Sequence, residues 1–154
     1  MALELTSRAR CGVRAMFQLA CHWGHGAVPL RTIADEQDLS LAFLEQIARD
    51  LRLAGLVESS RGCQGGYCLS REPAAITVGD VIRCLEGPVF LAACADPDPD
   101  FEECVRGQFC VSRLLWMKVS NQIEEAFDSV TLEDLREASQ RQPDEARKVF
   151  SIRQ

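Results

Sequence analysis

The strongest constraint on the fold is a succession of short apolar stripes at helical spacing that ends in a glycine-rich hairpin. Ala9, Val13, Met16, Phe17 and Ala20 recur at i, i+4, i+7, i+8 and i+11, one face of a helix over residues 7–23. Thr6 or Ser7 can cap its start, and Gly24 and Gly26 stop it. A second helix is expected over 30–37, with Ile33 and Ala34 inward. A third is expected over 41–54, with Ser40 as N-cap, Leu44, Ile47, Ala48 and Leu51 as its buried face, and Gly55 just past its end. Residues 56–60 and 67–69 then read as strands around the turn 61–66, Arg-Gly-Cys-Gln-Gly-Gly. Three helices and a hairpin, in that order, predict a winged helix-turn-helix domain.

Beyond the hairpin, Thr77 followed by Asp80 predicts a capping box opening a helix over 78–86, which Gly87-Pro88 ends. Residues 92–110 read as irregular, because Asp96-Pro97-Asp98-Pro99-Asp100 disfavours helix. Residues 111–130 carry the longest apolar stripe, through Val111, Leu115, Val119, Ile123, Ala126, Phe127 and Val130. Thr131 and Asp134 repeat the cap pattern, and the last fifteen or so residues are polar. The expected class is mainly α. It comprises a winged helix-turn-helix domain (1–87) with a small β-hairpin wing, a cysteine-bearing loop (88–110), and a long dimerisation helix with its tail (111–154).

In a winged helix-turn-helix the second helix of the pair enters the major groove. That places Ser40, Ala42, Phe43, Glu45 and Gln46 toward base edges, and Arg49 and Arg52 toward phosphates. Arg61 at the wing suits a phosphate or the minor groove, while Gly62, Gly65 and Gly66 permit a tight turn and close backbone approach. The net charge of −6 is not an obstacle. Residues 1–62 balance seven basic against seven acidic side chains, whereas residues 63–154 carry ten basic and sixteen acidic. DNA binding requires a local basic face, not a basic protein.

Eight cysteines in 154 residues need a reason. Cys11, Cys21 and Cys84 read as small buried hydrophobes. Cys94, Cys104 and Cys110 fall in the irregular segment, where a loop can fold three thiolates onto one centre. Such a set suits a soft metal or an iron–sulfur cluster, with zinc as the second choice and unrelated loop cysteines as the plain alternative. Cys63 and Cys68 flank the wing turn and form either a reversible redox pair or an incidental one. His22 and His25 read as polar residues at the end of the first helix. No Cys-x-x-Cys or phosphate-binding glycine loop occurs, so no enzyme is expected. Neither a signal peptide nor a membrane-spanning run is visible, so a cytoplasmic protein is expected.

These blocks together resemble the winged-helix regulators that include IscR, NsrR and RirA. The matching stretches are LTSRARCGVRAM, VPLRTIADEQDLS, LEQIARDLRLAGLV, RGCQGGYCL, ITVGDVIRCLEG and TLEDL, set around the three cysteines over roughly residues 3–135. The resemblance implies a homodimer on double-stranded promoter DNA, without a small-molecule substrate or a membrane. It implies an interface along Val111, Leu115, Val119, Ile123 and Phe127, and Cys94, Cys104 and Cys110 as ligands of an iron–sulfur cluster that gates DNA affinity. A four-iron cluster is favoured over a two-iron one. The chain departs from the family pattern in four places, one of them the wing turn, which is more often free of cysteines and here carries Cys63 and Cys68. The gap after Cys94 is longer than usual, Arg113 stands where the IscR branch has a histidine, and Arg10 stands where the NsrR branch has a carboxylate. The fourth ligand is then Cys11, an acid of residues 96–103, water or none. The alternative is a cluster-free regulator of the same fold that answers to thiol oxidation or a partner protein.

Overall fold

The computed structural model describes residues 4–61, 65–96 and 110–141. Within them the helices are α1 (Ser7–Cys21), α2 (Leu30–Gln37), α3 (Leu41–Leu53), α4 (Val78–Glu86), α5 (Val111–Asp128) and α6 (Leu132–Gln140). The strands β1 (Val57–Ser60) and β2 (Gly66–Leu69) pair antiparallel, with Val57 opposite Leu69 and Ser60 opposite Gly66. The fold is mainly helical with a two-stranded wing, as expected.

Local chemistry explains most boundaries. Thr6 caps α1 by accepting the Ala9 N–H, and α1 ends at Cys21, two residues early, where the chain turns into Gly24 and Gly26 at positive φ. Gly55, at φ 72°, closes α3 in a left-handed cap. The Leu56 N–H reaches the Leu51 carbonyl at 2.9 Å and the Gly55 N–H reaches that of Arg52 at 3.0 Å. Both expected capping boxes form, Thr77 with Asp80 and Thr131 with Asp134. Ser40 does stand at the start of α3, but its side chain makes no capping bond. The first-turn N–H groups of α3 therefore receive no bond from that side chain.

Met16, Ile33, Leu44, Ile47, Leu51, Ile76 and Val81 are fully or almost fully buried in one core. Leu132 of α6 lies in the same core at 0% exposure, so the segment after α5 returns to the first domain. α5 contributes no residue to this core, and α6 returns to it. The return is stitched by main-chain bonds, from Val78 N–H to the Val130 carbonyl (2.8 Å) and from Leu132 N–H to that of Ile76 (2.9 Å). These place the N-caps of α4 and α6 side by side, as a Thr77–Thr131 bridge. The far end of the chain, 142–154, lies outside the described residues.

The junction of α4 and α5 is ionic. Asp128 accepts Arg83 N–H bonds at 2.7 and 3.0 Å and the Thr77 hydroxyl at 3.3 Å. Gly79 makes room for it, since a Cβ there would stand 1.9 Å from Asp128 Oδ1. The Arg83 bonds hold the Asp128 carboxyl below the usual carboxylate range. A depressed folded-state pKa stabilises the protein above the unfolded pKa, and that gain is lost as pH falls through the folded value. Asp128→Asn should therefore lower the melting midpoint at neutral pH, modestly because the pair is part-exposed, and the gap to wild type should close below about pH 4. A gap that persists in acid would show that the pair adds no pH-dependent stability.

Candidate DNA-binding face and cysteine segment

Helix α3 buries Leu44, Ile47, Ala48 and Leu51, which turns Ala42, Glu45, Gln46, Arg49 and Arg52 outward, all exposed, with Ser40 exposed at its start. Phe43, expected to face outward with them, is half-buried and packs against the core. The turn before α3 is made by Asp38 in the left-handed region, with the Leu39 N–H bonded to the Ala34 carbonyl at 2.9 Å.

The pairing of basic side chains sorts them by role. Arg8, Arg71, Arg83, Arg136 and Arg141 are ion-paired, and Arg10, Arg14 and Arg113 are hydrogen-bonded. Among the described residues, Arg31, Arg49, Arg52, Arg61 and Lys118 make neither kind of contact. Four of these five lie at the start of α2, on α3 and just past β1. Sequence reading did not single out Arg31; its position in the first turn of α2, two residues after Pro29, is the signal that could have found it. Asp50, the acid on α3 beside Arg49, is neutralised by Arg8 of α1. Arg31, Arg49, Arg52 and Arg61 thus stand on the helix-turn-helix and wing segments without a counter-charge among the described residues.

The wing is tied to the body. Val28 and Tyr67 exchange two main-chain bonds at 2.8 and 2.9 Å. Gly66 permits that approach, since a Cβ on it would stand 2.3 Å from the Val28 carbonyl oxygen. The close backbone approach expected at this glycine is therefore made within the chain. Gly65 is half-buried just before β2, and Arg61 is exposed just past β1. Gly62 and Cys63 lie outside the described residues; Cys68 is half-exposed on β2, directly opposite Glu58.

Of the three loop cysteines, Cys104 lies outside the described residues. Cys94 sits in the short 3₁₀ turn Ala93–Ala95, anchored by buried Ala95, and Cys110 is the N-cap residue of α5. One residue joins them. Arg113 donates from Nε to the Cys94 carbonyl at 2.8 Å, and its own N–H bonds the Cys110 carbonyl at 3.0 Å. Cys11 is half-buried on α1 against the core. Burial pushes the Cys21 and Cys84 thiols up, as suits small apolar fillers, and Cys84 Sγ also donates to the Asp50 carbonyl at 3.6 Å. His22 turns Nδ1 to the Gln18 carbonyl at 2.9 Å at the end of α1, a capping role. Among the described residues, no three His, Cys, Asp or Glu side chains are grouped to hold a metal ion.

The expected α5 stripe divides in two. Ile123 and Phe127 line a shallow cleft with Leu5, Val89 and Phe90 of the same chain. At the other end Val111, Leu114 and Leu115 are 79, 60 and 50% exposed, with Trp116 beside them. The inner side is polar: Ser120 is buried and accepts the Leu91 N–H at 3.0 Å, and Glu124 accepts that of Val89 at 3.1 Å. No helix among the described residues is long and apolar enough to cross a membrane.

Residues 5–138 match the family model of Rrf2, described as an iron-dependent transcriptional regulator. The HTH-type transcriptional regulator CymR of Bacillus subtilis is 40% identical over 134 residues, 86% of this chain and 89% of CymR. IscR of Yersinia enterocolitica is 36% identical over 157 residues, 98% of this chain and 93% of that protein. The solved structure of T. potens IscR superposes with a TM-score of 0.73 at 44% identity, over 90% of each chain. That of CymR, called the global cysteine regulator of B. subtilis, superposes with a TM-score of 0.74, over 88% of this chain and 98% of that one. The relatives are named as transcriptional regulators, in agreement with the expectation that the chain is not an enzyme.

Proposed function

The chain belongs to the Rrf2 family of transcriptional regulators, and from that premise we propose that it binds promoter DNA as a cytoplasmic homodimer gated by an iron–sulfur cluster on Cys94, Cys104 and Cys110. The observation that carries the DNA half is the set of arginines on α2, α3 and the wing that have no partner among the described residues: Arg31, Arg49, Arg52 and Arg61. Arg49 and Arg52 hold phosphates and Gln46 and Glu45 read bases from the exposed face of α3, while the uncapped first turn of that helix offers its N–H groups to a phosphate. The apolar end of α5 around Val111, Leu114 and Leu115 is covered by a second copy, which orients two α3 helices toward one operator.

The donor chemistry fits the cluster. Cys94 and Cys110 are half-exposed thiols on segments joined by Arg113, and thiolates are the soft donors that iron–sulfur clusters take. Arg113 itself offers no lone pair, so it cannot serve where the IscR branch has its histidine. A bound cluster supplies a centre that reacts with oxygen, nitric oxide or electrons. The protein's part is to hold the ligand segment against α5, so that a change at the cysteines reaches the helix that sets the spacing of the two DNA-binding faces.

A second reading rests on CymR, named for cysteine rather than iron, and on the half-exposed thiol of Cys68 in the wing. There the signal is thiol oxidation, through Cys63 and Cys68, or a partner protein.

Anaerobic purification followed by visible spectroscopy with iron and sulfide assays separates the two. The cluster reading expects broad visible absorbance and about four iron and four sulfide per subunit. It also expects Cys110→Ala to lose both while remaining a folded dimer. A colourless protein that resists reconstitution would discard the cluster and leave the thiol reading.

A further inference from the structure

Arg113 stands at a ligand position of one family branch and cannot itself be a ligand. Its contacts give it a different role. The guanidinium Nε–H donates to the Cys94 carbonyl at 2.8 Å across nineteen positions of sequence, while its main-chain N–H is held by the Cys110 carbonyl at 3.0 Å. The guanidinium is part-buried in doing so and pairs with no carboxylate among the described residues. Two cysteine backbones on distant stretches of chain are therefore fastened to one residue in the first turn of α5.

We propose that Arg113 is the positioning residue of the cysteine site: it clasps the Cys94 turn to the start of α5 and so sets the separation of the Cys94 and Cys110 thiols before any metal is bound. The proposal deepens the cluster reading but does not depend on it, because the clasp exists in the protein's own hydrogen bonds. The bond is made by a charged donor to a main-chain acceptor, the stronger kind, and it is partly withdrawn from water. A neutral imidazole at this place would ligate; the longer guanidinium reaches past the ligand position to the backbone of the neighbouring ligand.

The test uses the full-length dimer in its metal-free, reduced form, treated with a short bis-maleimide, with Cys94–Cys110 linkage quantified by mass spectrometry. Wild type should link these two thiols readily, Arg113→Ala and Arg113→Met about tenfold more slowly, and Arg113→Lys in between, since an ammonium still donates to the carbonyl. The Met variant keeps the aliphatic stem, so packing is preserved and only the donor is lost. The melting midpoint should move little in all three, which separates positioning from general stability. Equal linkage in wild type and in the Met variant, or no linkage in wild type, would overturn the clasp. In parallel, each protein is reconstituted with iron and sulfide and challenged with a chelator. The clasp expects visible absorbance to decay about tenfold faster in the Met variant than in wild type. If wild type takes up no cluster, the cluster reading falls and the linkage result still decides the clasp.

Discussion

Replacing Gly66 with alanine should cost the fold about 3 kcal/mol, from overpacking and the weakening of two main-chain bonds. The added Cβ would stand 2.3 Å from the carbonyl oxygen of Val28, 2.4 Å from its carbon and 2.7 Å from Pro29 N. All three are backbone atoms, so no side-chain rotation relieves the clash. Gly66 is not among the residues at positive φ, so the cost is one of space rather than of conformation. The wing must move off the body, and the Val28–Tyr67 bonds at 2.8 and 2.9 Å stretch with it. Gly24 makes the contrast: it has φ 83° and open space around it, so alanine there costs only the conformational strain, about 1 kcal/mol. Urea denaturation of both variants measures the difference. A Gly66→Ala protein within about 1 kcal/mol of wild type would show that the wing is not pinned at Val28. If it then bound DNA poorly while stable, the glycine would be needed for close approach to DNA, the role that its place in the wing turn first suggests.

Local chemistry made much of this fold legible in advance. The capping boxes at Thr77 and Thr131 and the left-handed cap at Gly55 involve partners within a few residues, so the pattern carries the physics. What failed to show depends on contacts across the chain. The inner face of α1 includes Gly12, Ala15 and Leu19 beside the expected Ala9, Met16 and Ala20, because α4 packs so closely that a Cβ on Gly12 would meet Leu85 Cδ1 at 2.1 Å. Small residues make a weak apolar signal and a tight helix crossing at once. Leu132 gave no hint that α6 re-enters the core, since that is decided by the bridge to Ile76 and Val78, more than fifty residues away. The α5 stripe looked continuous because periodicity reports apolarity and not who covers it; half faces its own chain and half does not. Ser40 has the right residue type for a cap and makes no capping bond. At the candidate site, the outward positions of α3 followed from its buried face. Arg31 and the clasp at Arg113 did not, because both are defined by what the side chain pairs with or fails to pair with.

Changing Arg49 and Arg52 together to alanine should lower DNA affinity roughly a hundredfold or more near physiological salt, with little effect on stability. The stability half follows from the structure: both are exposed, and neither makes an ion pair or hydrogen bond among the described residues, so their removal costs the folded chain within about 0.5 kcal/mol. Arg8 is the control, because it pairs with Asp50 and its loss would leave an acid uncompensated on the same helix. The binding half follows from counter-ion release. Each phosphate contact removed takes about one from the slope of log affinity against log salt, so the double change takes about two per half-site, and four for a dimer on a palindrome. Loss should be uniform across operator sequences, since phosphate contacts carry no base information. Gln46→Ala should behave differently, with a salt slope like wild type and a loss of about 1–3 kcal/mol confined to operators that keep the contacted base. Fluorescence anisotropy over a salt series on two operators reads all of these at once. An unchanged slope in the double variant would remove α3 from the phosphate backbone. The unpaired arginines would then need another counter-charge, and the acidic stretch from Asp96 to Glu103, which holds five carboxylates, would be the first place to look.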